Sequence, residues 1–157
     1  MRKLLSGGLM VLAGAVGPAA LSPHQAYRAY VAEYRDDLRA ETLRHFFQRF
    51  ACPAEAYTVD FLEAADAYRL DWRLLPSISF VESAGGKASP NNNMFGWDQG
   101  RAHFPSPTAG IYEVAYRLAY SETYKDKDLD TVLTIYNPVG PYAQTVKSVM
   151  RQIAPLQ

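Results

Sequence analysis

The chain is expected to fold as an all-α domain with a cleft, and three observations lead there. Apolar residues recur at three- and four-residue spacing along most of its length. No segment keeps the strict alternation of a half-buried strand, which leaves room for a token β-hairpin at most. Prolines and glycines fall mainly between the apolar stripes. The 157 residues, 48% of them hydrophobic and 20% charged, suit one folded domain behind a short leader.

Residues 1–22 read as a secretory signal peptide. Arg2 and Lys3 precede an uncharged apolar run from Leu4 to Leu21, and small residues follow at Ala19, Ala20 and Ser22. The run is long enough for an uncleaved membrane anchor, but Gly7, Gly8, Gly14, Gly17 and Pro18 weaken it as a helix. Export with cleavage is the expectation, which places the protein in the periplasm or cell envelope. The membrane would be met only through this segment.

Residues 23–57 are expected to form a helical extension packing on the main domain. Tyr27, Tyr30, Val31, Tyr34 and Leu38 make one stripe, and Leu43, Phe46, Phe47 and Phe50 a second, before Cys52-Pro53 interrupts it. The main domain spans 58–157. Phe61, Leu62, Ala65 and Tyr68 share one face, as do Leu74, Leu75, Ile78 and Val81, and Gly85-Gly86 should end that helix. A polar loop from Lys87 to Asn93 leads into Met94-Phe95-Gly96-Trp97. Ser106-Pro107 reads as an N-cap and first helical position, opening a helix with Ile111, Val114, Ala115 and Leu118 inward. Another begins near Asp128, with Leu129, Val132, Leu133 and Tyr136 inward. After Pro138, Gly140 and Pro141, a last helix carries Tyr142, Val146, Val149, Met150 and Ile153.

Several function classes are disfavoured. Sixteen basic and 16 acidic residues balance to zero, without the basic excess of a nucleic-acid binder. One cysteine, Cys52, excludes an internal disulfide and a cysteine-based metal cluster, and it reads as a small buried residue at a helix junction. The histidines (His24, His45 and His103) lack ligand spacing. No metal or cofactor is expected, and the chain is expected to act as a monomer.

Glu82 is the residue whose position suggests chemistry. It follows Ile78 by four residues and Leu75 by seven, so the apolar stripe carries a carboxylate toward the core or a cleft. It also stands in the last turn of its helix, where the dipole disfavours negative charge. Burial and dipole both raise a carboxyl pKa, as a glycosidase acid requires. A surface glutamate at a helix end is the alternative reading.

The run Leu70 to Gly86, with Glu82-Ser83 at the helix end, resembles the catalytic-helix segment of the lysozyme-like superfamily. Asn91-Asn92-Asn93-Met94-Phe95-Gly96-Trp97 is similar to the Asn-Asn-x-Phe-Gly motif of bacterial glucosaminidases that cut peptidoglycan, the mannosyl-glycoprotein endo-β-N-acetylglucosaminidase-like domains. His103 to Ser106 is similar to the segment leading into their next helix. Tyr136 through Tyr142-Ala143, with Val146, matches their late Tyr-x5-Tyr-Ala-x2-Val pattern, and Tyr136-Asn137 resembles the Tyr-Asn of lytic transglycosylases. Four motifs in order cover roughly residues 58 to 153.

The resemblance implies that Glu82 protonates the glycosidic oxygen. Phe95 and Gly96 would line the cleft floor, and Tyr136 would sit opposite, holding Glu82 or the sugar. Further substrate contacts are implied for Ser83, Asn92, Asn93, Trp97, Asn137 and Tyr142. Read from the residues alone, Tyr136 could be plain core with its hydroxyl on backbone, the asparagines could make a turn, and Met94 and Trp97 could close the domain rather than stack on sugar.

The family usually inserts a longer lobe after Phe-Gly. Here eight residues separate Phe95 from Phe104, so that lobe is absent or a tight loop. Most glycosidases use two carboxylates; Asp98 is the first candidate for the second, with a turn-forming role as its alternative, and Glu113 is the other. A single-glutamate mechanism fits at least as well, through the substrate's 2-acetamido group or through intramolecular attack by a sugar hydroxyl. Three functions therefore stand: an exported hydrolase of peptidoglycan glycan strands, a lytic transglycosylase, and a non-catalytic glycan-binding domain.

Overall fold

In a computed structural model of the chain the described residues are 36–155, together with Ser22, Ala32 and Tyr34. The expected leader, apart from Ser22, and the stripe residues Tyr27, Tyr30 and Val31 lie outside them. The described residues form six α-helices joined by turns and two short 3-10 segments, and they contain no strand. The expected all-α class is what the structure shows.

Helix α1 (Leu38–Arg49) starts where the Asp37 carboxylate accepts the Arg39 amide at 2.7 Å. Its buried face is Ala40, Leu43, Phe46 and Phe47. Leu38, expected to extend the preceding stripe inward, is instead 77% exposed. It is the first helical residue, about 200° around the helix from Ala40 and about 140° from Leu43, so it faces away from both. After the Pro53–Tyr57 3-10 turn, helix α2 (Thr58–Tyr68) buries Phe61, Leu62, Ala64 and Ala65, and it stops at Arg69 in the left-handed conformation.

Helix α3 (Leu74–Ser83) follows a turn in which Asp71 accepts the Arg73 amide at 2.9 Å. Helix α4 (Pro107–Tyr120) opens as expected, with the Ser106 hydroxyl accepting the Ala109 amide. Helix α5 (Leu129–Tyr136) is capped in the same way by Asp128. Helix α6 (Tyr142–Ile153) buries Tyr142, Val146, Val149, Met150 and Ile153, an i, i+4, i+7, i+8, i+11 stripe.

The packing places α3 at the centre of the site. It lies mainly against α6, while α2 lies against α4 and α1 bridges α2 and α6. Residues 38–57 thus share the core of the main domain. Aromatic rings knit that core: Phe46 meets Phe80 at 5.1 Å, Phe47 meets Phe61 at 5.7 Å, and Phe61 meets Phe95 at 6.3 Å. The last contact ties α2 to the loop after α3. No helix among the described residues is long and apolar enough to cross a membrane.

Candidate active site

The end of α3 is held from two sides. Leu75 and Ile78 are fully buried, and Glu82, on the same face, is half-buried. Beyond Ser83 the chain turns left-handed at Ala84, Gly85 and Gly86, and the Gly85 amide closes on the Ser79 carbonyl at 3.1 Å. A Cβ on Gly85 would stand 2.7 Å from Cys52 Cβ and 2.8 Å from its Sγ, so glycine is required there. The Ala54 amide donates to the Gly85 carbonyl at 2.9 Å. Cys52 is therefore a small residue wedged at a helix junction, as its sequence context suggests.

The loop that follows is laced to this helix end. The Ser83 hydroxyl donates to the Met94 carbonyl at 2.8 Å and accepts the Gly86 amide at 2.9 Å. The Asn93 side chain accepts the Trp97 amide at 3.0 Å and donates to the Trp97 carbonyl at 2.9 Å, clamping the turn between them. Asn92 donates to the Phe104 carbonyl at 2.9 Å, and the Phe104 amide donates to the Asn91 carbonyl at 3.0 Å. Residues 96–104 form the tight loop that the sequence allows, built from short-range turns.

This lacing sets Gly96 directly against Glu82. Gly96 has φ +61°, and a Cβ there would lie 3.1 Å from the Glu82 Cδ and closer still to a carboxylate oxygen. Backbone conformation and close approach both demand glycine. Burial pushes the Glu82 carboxyl above its usual range, and contact with Tyr142 offsets this only in part. No cation enters its surroundings among the described residues.

The two tyrosines stand differently toward Glu82. Their rings stack at 6.0 Å and 4°. The Tyr136 hydroxyl donates to the Phe95 carbonyl at 2.6 Å, so it braces the loop instead of holding Glu82. Tyr142 is the hydroxyl beside Glu82. It is buried and makes no hydrogen bond of full geometry, yet it lies close enough to the carboxylate for each to alter the other's titration. Burial and the neighbouring Glu82 raise both phenols above their usual range.

Glu82 lines an open groove of about 730 Å³ with Asn93, Gly96, Gln99, Tyr136, Asn137 and Val139 among its walls. Asn137 uses its side-chain oxygen to accept the Val139 amide at 3.0 Å, shaping that wall. Phe95 and Met94 are core residues below the floor. Ser83 and Tyr142 are buried behind it, and Asn92 ties the loop from the side, so these act on the groove through their neighbours. Trp97 lines an adjoining depression of about 520 Å³, which shares Gly96, Gln99 and Tyr136 with the Glu82 groove.

Neither candidate for a second acid joins Glu82. Asp98 is exposed, sits at φ +52° in a turn, lines the adjoining depression, and pairs with Arg101 at 2.8 Å. Glu113 pairs with Arg117 at 2.6 Å on α4. Among the described residues no three His, Cys, Asp or Glu side chains converge as metal ligands. Sequence reasoning passed over Gln99, Ile135 and Val139, which line the groove. Of these only Val139, an apolar residue between Pro138 and Gly140, carries a signal that could have marked it.

The arrangement offers one chemistry plainly: a carboxyl that keeps its proton more readily than an exposed glutamate, at the wall of an open groove and against a glycine. Compared with protein-family models, curated proteins and solved structures, the chain matches none of them.

Proposed function

We propose that the chain is an exported hydrolase of peptidoglycan glycan strands, of the N-acetylglucosaminidase type, with Glu82 as general acid and then general base. The observation that carries this reading is the Glu82 carboxyl itself. It is half-buried, raised in pKa, and set against Gly96 at the wall of an open groove of about 730 Å³. The motifs around Glu82, Phe95-Gly96 and Tyr136-Asn137 supply the substrate class by resemblance.

In this mechanism protonated Glu82 donates to the glycosidic oxygen as the bond to the anomeric carbon breaks. The positive charge developing on that sugar is met by its own 2-acetamido oxygen. The aglycone leaves with the proton from Glu82. The carboxylate then takes a proton from water as that water attacks the anomeric carbon and the acetamido oxygen leaves it, restoring both the acid and the acetamido group. Glu82 is the one carboxylate among the described residues lining its groove, and this favours a route in which the substrate supplies the nucleophile.

The same observation favours a second reading. In a lytic transglycosylase, Glu82 would accept the proton of a sugar hydroxyl that attacks within the same ring, leaving an anhydro end. Incubation of intact sacculi with the mature protein and its Glu82→Gln variant tests both. Release by the wild type should exceed that of the variant by about a hundredfold or more. Product mass then chooses between them, since an anhydro end is lighter by one water. Equal release by both proteins would overturn the catalytic role, and no release by either would favour the glycan-binding reading.

A further inference from the structure

The depression beside the Glu82 groove has a composition that neither general acid catalysis nor plain sugar stacking calls for. Its walls are aromatic, with Trp97, Tyr124 and Tyr136 lining it; Trp97 stands 6.0 Å from Tyr124 and 5.5 Å from Tyr136. Arg117 lines the same depression, with its guanidinium 5.8 Å from the Trp97 ring centroid. Glu113, one turn earlier on α4, accepts from Arg117 Nε at 2.6 Å and steadies the group. The two terminal guanidinium nitrogens make no hydrogen bond with the described residues. The other charged group on these walls, Asp98, is already engaged by Arg101.

An arginine held at Nε and laid on a ring presents a planar fork, the geometry that matches a carboxylate. Aromatic faces beside it suit a pyranose ring. The geometry points to this depression as the seat of a sugar bearing a carboxylate, with Arg117 receiving the acid. The depression shares a wall with the Glu82 groove, so the acidic sugar would lie next to the bond cleaved. Resting on the proposed function, this assigns the depression to the muramic residue of the strand. The acid is either its free lactyl carboxylate or a carboxylate of the attached peptide. Arg117 would then make the site discriminate against neutral β-1,4 glycans of the same backbone.

The test is equilibrium binding in the full-length Glu82→Gln protein, which leaves ligands intact, read by tryptophan fluorescence and calorimetry. Three tetrasaccharides serve as probes: a neutral N-acetylglucosamine tetramer, a peptide-free alternating strand with free lactyl groups, and the same strand carrying stem peptides. At least one acidic ligand should bind about tenfold or more tighter than the neutral tetramer, the size expected of one charge-assisted pair. The acidic ligand that gains shows which carboxylate is read. Adding Arg117→Gln should erase the gain while leaving affinity for the neutral tetramer within about twofold. Arg117→Lys, which keeps the charge without the fork, should recover part of it. Arg117 is exposed on α4, so its variants should melt with their parent. Equal affinity for all three ligands, discrimination that survives Arg117→Gln, or no binding of any ligand would each overturn the assignment. Fragment release from sacculi by the wild type judges the glycosidase reading separately.

Discussion

Arg73 and Glu82 stand at opposite ends of α3, and the helix treats their charges in opposite ways. Arg73 is 8% exposed, and its guanidinium is partnered all round. It pairs with Asp71 at 2.5 Å and donates to the Ala154 and Pro155 carbonyls at 3.1 and 3.0 Å. Glu82 is also drawn inward, but it meets a glycine floor and one tyrosine hydroxyl, with no cation. A buried charge that is fully bonded fastens structure, here by joining the start of α3 to the chain end after α6. A carboxyl left short of partners gives up its charge more readily, the property that a general acid needs.

The contrast sets opposite responses to pH. Burial opposes ionisation of Asp71, but its bonds from Arg73 outweigh this and hold its carboxyl below the usual range. Its contribution to stability is present above the unfolded aspartate value and is lost as pH falls through the lower folded one. Glu82 is shifted the other way. Its contribution is complete below the unfolded glutamate value and is lost as pH rises through the raised folded one.

The largest effect is expected at the Arg73 end. Arg73→Leu strips the partners from Asp71 and two chain-end carbonyls, and it should cost about 2–4 kcal/mol in urea unfolding at neutral pH. A loss under half a kcal/mol would mean that the bonded end fastens nothing. At the other end, Gly96→Ala forces a Cβ against the Glu82 carboxylate at a positive φ. It should cost about 1–3 kcal/mol by the same measurement, with fragment release falling in parallel.

A smaller effect sharpens the contrast. Glu82→Gln should be more stable than wild type at neutral pH, with the advantage shrinking toward zero as pH drops below the usual glutamate range. An advantage that grows on acidification would reverse the assigned sign. Smallest of all, Tyr142→Phe removes the one group that lowers the Glu82 pKa. The alkaline limb of the pH–rate profile should then move upward with little change in stability.

Much of this architecture is written in local signals. Helix starts at α4 and α5 follow from Ser106-Pro107 and Asp128, because a cap and its amide lie within three residues of each other. The inward face of Glu82 follows from Leu75 and Ile78, because helical periodicity alone decides it. The tyrosines are another matter. Tyr136 ends α5 and Tyr142 begins α6, and both belong to apolar stripes. Which hydroxyl reaches Glu82 depends on the path of the turn between them and on how α6 lies against α3. No local rule carries that information. Asn93 and Ser83 are similar cases: polar residues beside Glu82 and Phe95-Gly96 look like ligands, yet both direct hydrogen bonds to backbone. The absence of Asp98 from the Glu82 groove follows from the turn at positive φ that aims it outward.

The cysteine under Gly85 gives the molecule a gauge of its own. Cys52 is the one thiol of the chain, 4% exposed, and burial raises its pKa. The Gly85 turn lies directly against it, so a thiol-reactive reagent gains access when that turn lifts away. Under conditions where reclosing is fast, the labelling rate therefore counts how often the end of α3 opens and yields a free energy for that local event. A glycan settling over Gly96 would slow the count, reporting occupancy without a chromophore on the ligand and without turnover.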